Sequence, residues 1–195
     1  MTLGENIHNA FLVVFKTLEN IEKLINRCQE KCIKEMYHLP ADRFLRYSSD
    51  TNWTGWIYWS FILLYQRRED GEVMGNDWID GPVYALEINV DSETCEEPQL
   101  NIGKFIFHDI KEWSPGCSPY NHWVFYDPIH KEKYWNRKTI NGCQYISAKD
   151  VYRDKVERSY WGFKNAIVWS CPLVEINDGN YKEKIFGTIE KLSKM

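Results

Sequence analysis

The sequence predicts an α+β fold: a central, largely antiparallel twisted sheet of about five strands, with a long N-terminal helix and two C-terminal helices. Three observations carry that expectation. An apolar stripe at steps of three and four runs through the first 37 residues, the signature of an amphipathic helix. Residues 56–66 are apolar on both alternating sets, and residues 82–91 alternate cleanly, as strands do. The connections between the early strands are short, which favours antiparallel pairing.

Taken in order, the first element is a helix over about residues 4–37. Its stripe is Ile7, Phe11, Val14, Phe15, Leu18, Ile21, Leu24, Ile25, Cys28, Cys32 and Met36, and Pro40 is its stop. At about 1.5 Å per residue it would be roughly 50 Å long, longer than a small sheet covers, which suggests a bend or a homodimer packed through this helix. Strands follow at 56–66, 82–91 and 100–108. In the second of these Tyr84, Leu86, Ile88 and Val90 face one way, while Glu87, Asn89 and Asp91 face the other as a solvated polar edge. The turn formers of 109–121 mark a loop, and a fourth strand is expected at 122–127, ended by Asp127-Pro128. Residues 130–138 read as a basic, irregular segment. Ser147 reads as a helix cap before the stripe Val151, Tyr152, Val156 and Tyr160. A strand at 163–170 and a helix from about Asn180, with the stripe Tyr181, Ile185, Ile189 and Leu192, complete the order. No repeat or linker divides the chain, so residues 1–195 are read as one domain.

Composition sets the function classes. Net charge is −4 and the pI is near 5.8, so there is no global basic field to draw the chain to nucleic acid or an anionic membrane. No apolar stretch reaches membrane-spanning length, and the run Phe11–Phe15 is too short for a signal core; the expectation is a cytoplasmic protein. The six cysteines are scattered, which favours reduced thiols. Cys28 and Cys32 share a helix face, but no second ligand pair completes a zinc site, so no metal ligand is assigned.

The aromatic load is high: nine Trp, twelve Tyr and nine Phe. Such rings build cores, and in loops they stack ligands or anchor partners. Trp113, His122 and Trp123 are candidate ligand contacts on that ground. So is the segment carrying Tyr134, Trp135, Arg137 and Lys138, whose cations and rings suit a nucleotide. His108, Asp109, Cys117 and His122 form a candidate thiol constellation, since a thiolate needs a cation nearby. The leading expectation is a soluble binding protein without a cofactor. Its aromatic surface or pocket would engage a protein partner or a stacked ligand, in the manner of an inhibitor or sequestering factor.

A second reading is catalytic. Glu87 and Asp91 share a strand face, with Asp77 and Asp80 just before it. The order helix, three strands, helix, strand is similar to the PD-(D/E)xK nuclease core. That family places a Glu-x-Lys on the strand after its first acid; here the strand reads Glu87-x-Asn89, and Lys104 on the next strand would have to stand in. The resemblance implies a phosphodiesterase using Glu87, Asp80, Asp91 and Lys104 with Mg²⁺ or Mn²⁺. A third reading is a nucleotide-binding module built on residues 130–138.

Overall fold

The computed structural model describes residues 2–91 and 93–195, with the side chains of residues 31, 32 and 54 left out. Two compact units emerge, residues 1–37 and 38–195.

The first unit is helical. Helix α1 spans Leu3–Cys28 and α2 spans Lys31–Met36. Thr2 starts α1 with a capping box: its hydroxyl accepts from the Glu5 amide, and the Glu5 carboxylate accepts from the Thr2 amide. The expected single helix over 4–37 is therefore two. The break falls at Gln29 and Glu30, whose backbones leave the helical region. Neither is glycine or proline, and the apolar stripe runs through the break, so periodicity alone does not reveal it. The stripe residues Ile7, Phe11 and Phe15 are 53%, 53% and 62% exposed. Cys28 is buried, whereas the Cys32 side chain lies outside the described residues.

The second unit carries a sheet. Its strands are β2 (Ser60–Arg67), β3 (Val83–Asn89), β4 (Gln99–Phe107), β5 (Trp135–Ile140), β6 (Cys143–Ala148) and β7 (Phe163–Pro172). The short β1 (Tyr37–His38) straddles the unit boundary. The sheet order is β1-β2-β3-β4-β7-β6-β5, so among the described residues there are seven strands rather than about five. The pairings β2–β3, β3–β4, β4–β7, β7–β6 and β6–β5 are all antiparallel, as expected.

The extra strands are the β5–β6 hairpin. It occupies the segment read as basic and irregular and runs to the expected helix cap at Ser147. Its turn is Asn141-Gly142, both with positive φ (51° and 77°), the pair of conformations that a two-residue hairpin of matching twist requires. The Asn-Gly dipeptide flanked by Ile140 and Cys143 was the sequence signal for it.

The expected strand at 122–127 is instead helix α3, Trp123–His130, entered through a 3-10 turn at Pro119–His122. Ser118 caps that turn with Asn121 three residues on, and Pro119 takes the first helical position. Arg137 Nη2 donates to the carbonyls of Pro128 and Ile129 at 2.9 Å each and to that of Lys131, closing the C-terminal end of α3. Pro128 lies inside the helix, so Asp127-Pro128 ends no strand.

These elements make three layers. On one sheet face, α3 and α4 (Arg153–Ser159) cover Ile62, Ala85, Phe105, Ala166 and Val168. On the other lies the C-terminal helix, a π turn at Lys182–Phe186 leading into α5 (Gly187–Ser193). Its predicted stripe of Tyr181, Ile185, Ile189 and Leu192 is buried, and the Phe186 ring meets Tyr65 edge-on at 5.6 Å. Because both faces are covered, the polar set on β3 is not a solvated edge: Glu87 and Asn89 are each 0% exposed. Among the described residues no helix is long and apolar enough to cross a membrane.

Candidate functional site

Glu87 is the group from which the site builds. A carboxylate removed from water is costly unless its oxygens are hydrogen-bonded, and three elements supply donors. Ser60 Oγ on β2 donates to Oε1 at 2.8 Å. Asn101, the cross-strand partner of Glu87 on β4, donates through Nδ2 to Oε2 at 2.9 Å. His130, the last residue of α3, brings Nε2 to 2.8 Å from Oε2 and 3.0 Å from Oε1. Where the carboxylate accepts, Nε2 is the donor in this contact.

One turn back on α3, the Tyr126 ring lies 4.3 Å from the His130 ring, the i, i+4 geometry of neighbours on a helix face. Tyr126 opens the aromatic part of the site. Its ring is 5.1 Å from Trp59, Trp59 is 6.0 Å from Tyr47, Tyr47 is 5.8 Å from His122, and His122 is 6.1 Å from Tyr126. The four rings form a closed circuit, with successive planes at 63°, 32°, 59° and 45°.

This circuit walls a hollow of about 600 Å³, the size of a small-ligand pocket. Trp53 stands at its rim, 70% exposed. Asp91, Glu93, Asp127 and Lys131 bring charge to the same hollow. The turn after β3 presents the first two: Asn89 Oδ1 accepts from the Asp91 amide at 2.9 Å, Asn89 Nδ2 donates to Thr94 Oγ1 at 2.9 Å, and Asp91 Oδ1 accepts from the Glu93 amide at 3.0 Å. Asp127 Oδ2 accepts from the Tyr160 hydroxyl at 2.8 Å. Lys131 Nζ sits 5.6 Å from the centre of the Tyr126 ring.

Burial tunes the titratable groups. It pushes His122 below the ordinary imidazole value, so the ring is neutral at pH 7. It raises the Tyr126 phenol, which therefore stays a donor, reaching Asp91 Oδ2 at 3.4 Å.

Of the residues that the sequence singles out, the structure brings Glu87, Asp91 and His122 to this region and disperses the others. Lys104 pairs with Tyr84, so it projects from the opposite sheet face, where its Nζ donates to the Ser193 carbonyl at 3.2 Å. Asp80 is exposed before the far end of β3. Among the described residues no three His, Cys, Asp or Glu side chains are set to hold a metal ion. Glu87, Asp80, Asp91 and Lys104 thus do not assemble a divalent-metal centre, and no step through Mg²⁺ or Mn²⁺ follows from them.

The 130–138 segment is likewise occupied structurally. Trp135 is buried against Tyr160 and Phe163, at 5.0 and 4.9 Å. Arg137 is committed to the α3 carbonyls, Tyr134 lies beneath Lys133 and Lys155, and Lys138 covers Tyr145. Trp123 packs edge-on against Tyr160 at 4.9 Å. Trp113 joins Trp78 and Trp161 in a separate cluster. Burial pushes the Cys117 thiol up to about 12, the reverse of what a thiolate nucleophile needs.

Sequence reasoning missed Ser60, Asn101, Tyr126, His130, Trp59 and Tyr47 as a group. Strand register and the docking of α3 bring them together, and neither is written in local spacing. Compared with family models, with curated proteins and with solved structures, the chain matches none.

Proposed function

We propose that this chain is a binding protein that captures its ligand in the hollow walled by Tyr47, Trp59, His122 and Tyr126. The observation that carries this reading is the convergence of a closed ring circuit and four charged side chains on one hollow of about 600 Å³. Glu87 lies beneath it as a positioning group. Both its oxygens are used in holding α3 against β2, β3 and β4, so it fixes Tyr126 and His130 in place.

The test is tryptophan fluorescence and thermal stability of the full chain against a panel of small ligands, peptides, nucleotides and divalent metals, with Trp59→Leu as control. A folded-state ligand raises the melting temperature by mass action. The expected outcome is a shift with one ligand class that Trp59→Leu abolishes. Metal-dependent cleavage of oligonucleotides, lost in Glu87→Gln, would replace this reading with the nuclease one.

The exposed stripe of α1 favours a second partner, another copy of the chain. Light scattering would then give twice the 23.3 kDa chain mass, and Phe11→Glu with Phe15→Glu would return it to one. A single-chain mass for the unaltered protein removes this proposal.

A further inference from the structure

We propose that the pocket takes a small organic monocation with an alkylated ammonium head, and that Lys131 is its tethered stand-in. The inference deepens the proposed function and rests on it.

Three observations lead to the cation. The ring faces carry negative potential, and a cation within about 6 Å of a centroid is attracted to them. Lys131 Nζ already holds such a position on Tyr126, at 5.6 Å. Three carboxylates, Asp91, Glu93 and Asp127, line the same hollow against the single ammonium of Lys131. His122 contributes a neutral ring face at pH 7, because burial disfavours its charged form. The local balance is therefore negative by two charges, which draws a second cation and repels an anion.

The shape of the head group follows from the ring planes. A guanidinium needs a flat slot between parallel faces. Here successive planes turn by 32° to 63° around a closed circuit, which offers faces from several directions to a round head. An alkylated ammonium also costs less to desolvate than a bare one, and it fills a hollow of about 600 Å³ better. Lys131 is exposed at the C-cap position just after α3, so it can swing out as the ligand enters.

The experiment is isothermal titration of the full chain at constant ionic strength with three probes: choline, its uncharged isostere 3,3-dimethylbutan-1-ol, and acetate. The expected result is choline bound at least tenfold more tightly than the alcohol, with no acetate binding. Lys131→Met, an exposed change that leaves the fold intact, is expected to tighten choline several-fold by removing the competing ammonium. Equal or tighter binding of the alcohol overturns the cation and leaves the pocket reading standing. Acetate as the tightest probe overturns the charge assignment. Binding of no probe by either the parent chain or Lys131→Met overturns the cation; the pocket reading falls with it only where the wider ligand panel also gives no shift that Trp59→Leu abolishes.

Discussion

Two aromatic clusters share the same face of the sheet and differ in what accompanies the rings. In one, Trp78, Trp113 and Trp161 pack edge-on at 4.9 to 6.4 Å, and Trp113 continues to Phe107 at 4.8 Å. It borders a hollow of about 480 Å³ lined by Trp113, Ser114, Pro115, Gly116, Ser118, Asn121 and Trp161, without a charged group among them. In the other, Tyr47, Trp59, His122 and Tyr126 stand at similar spacings, but around four charged side chains and above a buried carboxylate. Charge beside the rings is what sets the proposed binding cluster apart from the packing cluster, because packed indoles need only dispersion and one hydrogen bond each. The Trp78 indole has its bond, donating to the Ser114 carbonyl at 3.2 Å.

The largest effect should come from the packing cluster. Trp78 is 0% exposed, and Trp78→Ala is expected to cost about 4 kcal/mol in denaturant unfolding, with ligand response per folded molecule unchanged. Loss of response at full folding would mean that the two clusters are coupled. Next is His130→Ala, which leaves Glu87 buried without its strongest partner and should cost about 3 kcal/mol. Adding Glu87→Gln should recover part of that loss, since the unpaired charge goes with it. No recovery would show that His130 acts by packing on Tyr126 alone. Arg137→Ala should cost about 2 kcal/mol by stripping the α3 carbonyls of their donor, and it should leave any nucleotide response as it was.

A smaller effect distinguishes the clusters by pH. The folded-state value of His122 is depressed by burial, so its contribution to stability is complete above the ordinary value of about 6.5 and is lost as pH falls through the folded value. Unfolding followed from pH 7 downward should show that slope, and His122→Gln should flatten it. Choline affinity should fall over the same window, because a protonated imidazole repels the cation. The smallest effect belongs to Cys117, packed against the apolar cluster. With its thiol pushed up to about 12, only about one molecule in ten thousand is thiolate at pH 8. Iodoacetamide should therefore label it far more slowly than an unfolded control.

The α+β class, the antiparallel pairing and the C-terminal helix were legible because each depends on local periodicity or short connections. Glu87 was legible as a residue of interest, but its environment was not. Reading 122–127 as a strand removed the helix that covers its face, so a buried carboxylate looked like a solvated edge. The apolar run Trp123–Tyr126 and Asp127-Pro128 masked α3, while Ser118-Pro119 and Asn121 held the start signal. The hairpin was written in Asn141-Gly142, and the lysines around it drew the reading toward phosphate instead. Trp59 looked like strand core because the sequence does not show that Ser60, rather than Trp56, begins β2.

The most direct measurement is a nitrogen–proton correlation spectrum of the indole groups of all nine Trp, titrated with choline. The account predicts that the Trp59 and Trp53 resonances move along one saturating curve while those of Trp78, Trp113 and Trp161 stay fixed. Movement of Trp113 and Trp161 with Trp59 fixed would contradict it, placing the ligand in the uncharged hollow instead.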